Sequence, residues 1–423
     1  MTIPPRPPGP ESPVDAGFRV RVRMISRSVD EPHRVSSQLE LLFDLTFVVA
    51  VASITAQLAH ALAGGHALAG VVPFLQVFFA IWWAWMNFTW FASSYDTDDV
   101  PYRLMTLVQM AGVLVLAAGV PSAVEHLDFR AVTLGYFIMR LGLVAQWLRA
   151  AREDPECRST ALRYAVGISA VQAGWIARLA LAESGVVSTT GLLAIFAGLV
   201  VLELTVPVWA EHNQHTSWHP HHIAERYTLF TIILLGESVL AASTGVAEAL
   251  DTGLSGPLVA TAAAGLVLLF TLWWLYSLEP SGEGLASRRR LSYLWGYAHY
   301  GIFASLAALG AGLEVAVQQA EHHTASSPIS TGYGVAVPVG VFLVLLWLVH
   351  APIVASPTVP PAALAGAAVA CLLLPLLAGA VGLASVLLAI AAVCALVIVV
   401  TAVSVRRRAP AGPAAPDGAE PSA

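Results

Sequence analysis

The sequence predicts an all-α, polytopic membrane helix bundle of about twelve spans arranged as two parallel six-helix halves. Three observations predict it. Of 423 residues, 57% are hydrophobic and 11% charged, with a mean hydropathy of +0.72, whereas a soluble domain carries roughly 45–50% and 25%. Apolar stretches long enough to cross a bilayer recur along the whole chain. Finally, three segments of the first half return in the second at a nearly constant offset.

Residues 1–40 are rich in Pro and Arg and lack an apolar core, so they are expected as a disordered cytoplasmic arm with no cleavable signal peptide. A helix needs about 20 apolar residues to cross the hydrocarbon. Spans are expected near 41–62, 71–93, 104–124, 131–150, 161–182 and 190–210, which make the first half at 41–210. A His-rich cytoplasmic loop follows at 211–227, read as flexible and solvated. The second half, 228–403, holds spans near 228–248, 258–278, 293–316, 333–356, 361–379 and 382–403, the last two divided by AGAVG at 378–382. Residues 404–423 are expected as a disordered cytoplasmic tail.

All 21 basic residues are arginine. With the amino terminus inside, eighteen arginines face the cytoplasm and Arg130 alone the other side, while Arg140 and Arg178 fall within spans. Such asymmetry sets orientation, so both termini are expected in the cytoplasm. The net charge of −6 is spread too thinly to suggest nucleic acid. The lack of lysine excludes a Walker loop. Cys157, Cys371 and Cys394 have no CxxC spacing, so neither a disulfide framework nor a metal knuckle is expected.

The repeat rests on three matches. Glu40 in LELLFDLTF and Glu225 in AERYTLFTI are 185 residues apart, AIWWAWMNF aligns with TLWWLYSLE at 191, and Arg103-Leu104 with Arg290-Leu291 at 187. Six helices separate the copies, so the halves run in the same direction, as in many transporters.

An ionisable side chain near the bilayer centre costs roughly 2.5–3.5 kcal/mol on insertion scales, so it usually faces the interior with a partner and a function. The candidates are Asp44, Arg140, Arg178, Glu203, Glu237 and His299. Depth nominates Arg140 and Glu237 as the central pair, with Glu203 the other acid in reach of Arg140; Arg178 reads as a snorkelling interface residue. Eleven residues at about 100° each place Glu237 within about 20° of Arg226 on one helical stripe. Glu40 and Asp44 share a face at i, i+4, and a helix start at Glu225 brings His221 and His222 beside it. The buried acids outnumber the central cation, which points to proton handling; a purely structural pair that fixes helix register is the alternative. His299 reads equally as a packing histidine.

SSQLELLFDLTFVVAVASI (36–54), YFIMRLGLVAQW (136–147), LELTVP (202–207) and HHIAERYTLFTIILLGESVLA (221–241) together resemble the bacterial low temperature requirement protein A family, LtrA. The resemblance covers about residues 33 to 400, through the motifs E-x-x-F-D and H-x-x-E-R…L-G-E. Position by position it falls on Glu40, Phe43, Asp44, Arg140, Glu203, His222, Glu225, Arg226, Gly236 and Glu237, with Leu42 where an aromatic is common. It implies an integral inner-membrane protein linked by name to growth in the cold. The reading is a secondary transporter or transporter-like protein, proton-coupled through these acids, whose partners are the lipid bilayer and an unidentified small molecule or ion, with no cofactor and no metal. A membrane sensor or structural protein without transport is the alternative. An intramembrane enzyme has only Ser238 beside Glu237 and the histidine loop to suggest it.

Overall fold

The computed structural model describes residues 19–29, 31, 34–252, 255–320, 324–354 and 357–408. They form α1 (Gln38–Ala63), α2 (Ala67–Tyr95), α3 (Val100–Glu125), α4 (Arg130–Glu153), α5 (Arg158–Ser184), α6 (Thr189–Ala210), α7 (Pro220–Thr252), α8 (Gly256–Ser277), α9 (Ser281–Ser287), α10 (Ser292–Ala320), α11 (Pro328–His350), α12 (Pro361–Leu373), α13 (Ala378–Val381) and α14 (Leu383–Arg408). No strand occurs among the described residues. Eleven helical segments among them are long and apolar enough to cross a membrane. The 33-residue α7 lies between the sixth and seventh of these.

Local chemistry sets the ends of these helices. Ser37 and Glu40 form a capping box at the start of α1: Ser37 Oγ accepts from the Glu40 N–H at 3.3 Å and Glu40 Oε2 from the Ser37 N–H at 2.7 Å. Asp99, Ser188, Ser255 and Ser327 cap α3, α6, α8 and α11 in the same way with one oxygen each. The expected break at 378–382 is real: Gly382 takes φ +83°, where a side chain would be strained, and the chain reverses there.

Some neighbour relations recur along the chain, while the packing of α8 on α14 stands outside that order. α1 packs on α2 and α3, α3 on α4, and α4 on α5; α7 packs on α8 and α10, α10 on α11, and α11 on α12. The closest crossings lie at α3–α4 and α10–α11, and glycine makes both possible. A Cβ on Gly135 would sit 2.3 Å from the Leu116 nitrogen, and one on Gly312 would sit 2.2 Å from the Gly334 oxygen. The two groups of helices meet where α1 lies against α7 and α10.

One end of the bundle gathers the start of α1, the turn between α2 and α3, the end of α4 and the start of α7. There the structure departs from the expected disorder of the amino-terminal arm. Residues 19–29 form an extended strap whose N–H groups reach carboxylates: Val22 to Asp99 Oδ2 at 2.8 Å, Met24 to Glu153 Oε2 at 2.7 Å and Ser26 to Asp154 Oδ2 at 3.0 Å. The Met24 side chain is fully buried. Composition misses this because the partners are distant in sequence; residues 1–18, with Arg6, lie outside the described residues. The tail also begins later than expected, since 404–408 complete α14, and residues 409–423 lie outside the described residues.

Helix α7 begins at Pro220, eight residues before its expected span. His222, Glu225 and Arg226 therefore belong to a helix and not to a loop. The remaining loop is anchored as well: Glu211 accepts from Tyr164 Oη at 2.9 Å and Thr216 Oγ1 at 2.6 Å, and Trp218 is buried under Arg289.

Candidate functional site

Two buried ionic networks occupy the bundle, and Glu237 stands apart from both. The first is built from α1 and α7. Arg226, on the first turns of α7, is fully buried and divides its guanidinium between two acids of α1, with Nη1 3.0 Å from Glu40 Oε1 and Nη2 2.6 Å from Asp44 Oδ1. His222, one turn earlier, brings Nε2 to 3.1 Å from the same Glu40 oxygen. The i, i+4 spacing on each helix puts both acids and both bases on the facing sides. Helix α2 completes the cage: the Trp85 indole N–H donates to Asp44 Oδ1 at 2.7 Å, and Arg226 donates to Thr89 Oγ1 at 3.3 Å. Two carboxylates and a hydroxyl surround Arg226 in the interior, where a lone guanidinium would not be tolerated.

Outside the helices the network continues through Arg34, whose Nη2 lies 3.5 Å from Glu40 Oε1 and 3.4 Å from Asp96 Oδ2, and through Arg27, 3.7 Å from Asp96. Asp96 lies in the α2–α3 turn. Burial and the charge of Glu40 push its carboxyl up to about 6 against the pull of Arg34 and Arg27. Three residues on, Asp99 behaves oppositely. Burial raises it, but hydrogen bonds from Arg149 and from the Val22 and Tyr102 N–H groups outweigh that and hold it at about 2. Between its ordinary value of 3.8 and about 6, folded Asp96 keeps a proton that the unfolded chain has lost, so this group's contribution to stability falls as pH rises through that window. Asp96→Asn mimics the protonated form. The variant is expected to lose the part of the wild-type fall in unfolding temperature between about pH 4 and 6 that this group causes, read by thermal scans in detergent; an identical profile in both proteins would contradict the assignment.

The second network answers the depth argument of the sequence. Arg140 pairs with Glu203: Nη2 is 3.2 Å from Oε2, and both side chains are buried. Glu203 also accepts from Tyr136 Oη at 2.7 Å, the Trp83 indole at 2.8 Å and the Trp175 indole at 3.1 Å. Its two oxygens thus take four donors from α2, α4 and α5. Arg140 also donates to Tyr136 Oη and stacks over that ring at 4.5 Å.

Glu237 is half-buried on α7, and one of its oxygens is buried with no hydrogen-bond partner. No ion pair reaches it among the described residues. The expected pairing of depths therefore resolves in favour of Glu203. Between Arg226 and Glu237 the buried face of α7 carries no charged residue: Phe230 stacks on Trp85 at 4.3 Å and meets Phe303 at 5.0 Å, and the Thr231 hydroxyl donates to the Tyr227 carbonyl.

The other candidates fall outside these networks. Glu225 accepts only from the Ser36 N–H, at 3.4 Å. His299 is fully buried among Trp295, Tyr227 and Phe303; its Nδ1 lies 2.7 Å from the Trp295 carbonyl and its Nε2 3.2 Å from Tyr276 Oη, so packing partners occupy both nitrogens. Arg178 does not snorkel. It is 7% exposed, donates to the Leu192 carbonyl at 3.2 Å and lies between the Phe129 and Phe196 rings. No group of three or more His, Cys, Asp and Glu side chains among the described residues is placed to hold a metal. Sequence reasoning missed Arg34, Asp96 and the donors Trp83, Trp85, Tyr136 and Trp175. The only signal for Trp83 and Trp85 was the density of rings in WWAWMNFTWF (82–91), which reads more readily as packing, and Trp175 lies outside that stretch.

Residues 35–404 match the family described as bacterial low temperature requirement A protein (LtrA). The chain is 26% identical over 277 residues to an uncharacterized protein of Rhizobium meliloti, a match that spans 62% of this chain and 64% of that protein's length. No solved structure matches it.

Proposed function

The chain belongs to the bacterial low temperature requirement A family, and from that premise we propose that it is a transporter-like, multi-pass protein of the bacterial inner membrane. In this reading two parallel six-helix halves rock against each other, the network of Glu40, Asp44, His222 and Arg226 latches them at the cytoplasmic end, and Glu237 is the group that changes protonation. One observation carries it: the acids of the latch sit on α1 and its bases on α7, so fully buried charge contacts join the two halves of this reading. The order of neighbours and the two glycine crossings support the repeat. Glu237 fits the carrier because it is half-buried and one of its oxygens is buried without a hydrogen-bond partner.

The test is proton flux in liposomes holding the purified full-length chain and a pH-sensitive dye, driven by imposed pH and ion gradients. Flux above protein-free liposomes is expected, and Glu237→Gln, which keeps the volume, is expected to remove its pH dependence while leaving the unfolding temperature within a few degrees. A variant that unfolds, or keeps the wild-type profile, returns Glu237 to a structural role. No flux under any gradient favours the second reading, a sensor or structural membrane protein, for which the saturation of Glu203 by four donors is the motive. An enzymatic role gains little, since Ser238 Oγ donates to the Leu234 carbonyl at 3.2 Å. Orientation has its own test. A reporter active only outside the cytoplasm, fused after Val405, is expected to stay silent, and a strong signal would reverse the topology.

A further inference from the structure

The half of the bundle away from the ion network contains a cavity of about 490 Å³ between α1, α2, α10 and α11. Its origin lies on one face of α10, where Ala304 and Ala308, four residues apart, carry only a methyl group each and leave unfilled the space that larger side chains would take. Leu58, Phe74 and Ala304 form a buried floor. The rim is formed by Leu68, at 88% exposure, with Val337 and Val341, so the opening faces the same medium as the outer surface of the membrane spans.

That medium is hydrocarbon, and the cavity is graded along its length. Ser330 and Tyr333, in the first turns of α11, put two hydroxyls at the end near the α1–α2 turn, where an amphipathic tyrosine suits the headgroup boundary. At the other end Tyr300 crosses to α2, and its hydroxyl donates to the Leu75 carbonyl at 2.9 Å. This bar divides the cavity from a smaller one of about 280 Å³ lined by Val72, Gln76 and Trp82. The space is thus a blind apolar slot with a polar lip, within the roughly 300–1,000 Å³ typical of ligand sites.

We propose that the slot holds one acyl chain of a membrane glycerophospholipid, with its tail stopped at Tyr300 and its glycerol-phosphate at Ser330 and Tyr333, in the leaflet opposite the ion network. Lipid tails are as apolar as leucine, so exclusion from water contributes nothing to this preference over bulk lipid. Retention comes from packing, because a chain in the slot touches protein on several sides. The inference does not depend on whether the protein transports anything.

The test uses the full-length protein purified in detergent, with bound lipid extracted and identified by phosphate assay and mass spectrometry. Wild-type protein is expected to retain stoichiometric phospholipid. Ala304→Trp, which fills the floor, is expected to lose it severalfold with its unfolding temperature maintained, while Val399→Trp, a lipid-facing change on α14, keeps it. If Ala304→Trp does not fold, Val337→Trp narrows the rim and is expected to show the same loss. Wild-type protein with no bound phospholipid, with a lipid lacking phosphate in its place, or with a second copy of the chain covering the slot would overturn the proposal. So would equal retention in the filled or narrowed variant.

Discussion

Arg226→Ala is expected to lower stability by about 3–5 kcal/mol, the usual cost of breaking a buried ion pair by removing one partner. The cost arises from what is left behind. Glu40 and Asp44 remain buried, with His222 at 3.1 Å and Arg34 at 3.5 Å from the first and only the Trp85 indole on the second. Restoring neutrality should recover most of the loss, so Arg226→Met combined with Glu40→Gln and Asp44→Asn is expected to unfold well above the single variant. Denaturant or thermal titration in detergent reads both. If the triple variant were no more stable than Arg226→Ala, the network would owe its worth to shape and not to charge.

The second large effect concerns Glu203 and has a direction that a simple ion pair would not give. Arg140→Ala leaves the carboxylate with three donors, Tyr136, Trp83 and Trp175. Glu203→Ala strands the Arg140 charge and unpairs those donors together, each buried group adding roughly 1–3 kcal/mol. Glu203→Ala is therefore expected to be the more damaging of the two, and Arg140→Ala combined with Glu203→Gln is expected to be milder than Arg140→Ala alone. Residues in one network couple by about 0.5–3 kcal/mol; a double variant equal to the sum of its singles would show that the two do not act as a unit.

Much of this was readable in advance, because a bilayer imposes strong rules. Hydrophobic length located the spans, and the glycine at 382 marked the last turn. The cost of a charge at depth singled out Arg140 and the acids around it. What escaped was tertiary. His222, Glu225 and Arg226 look like loop residues because they are polar and follow a histidine run, yet they open a helix once α1 supplies opposite charges. Arg34 sits in a segment whose composition suggests disorder, and its order depends on Asp96, 62 residues away. The Trp83 and Trp85 indoles point at different carboxylates, Glu203 and Asp44, although they are two residues apart on α2. Helical geometry separates such neighbours by about 200°, so only the fold shows which acid each one serves. The absence of a cation beside Glu237 was likewise invisible, since depth alone had paired it with Arg140.

The strap at residues 19–29 also has a consequence for the order of biosynthesis. Met24 finds its partner in Glu153, 129 positions later, and ribosomes add roughly 5–20 residues per second, so the strap waits on the order of ten seconds for that carboxylate to be made. It waits longer in practice, because Glu153 must also be threaded into place at the end of α4. Residues made early are therefore among the later ones to find their final positions. Until then Asp99, Glu153 and Asp154 stand open to water, and a nascent chain arrested before α4 is complete should have its strap cut readily by a protease that leaves the finished protein intact.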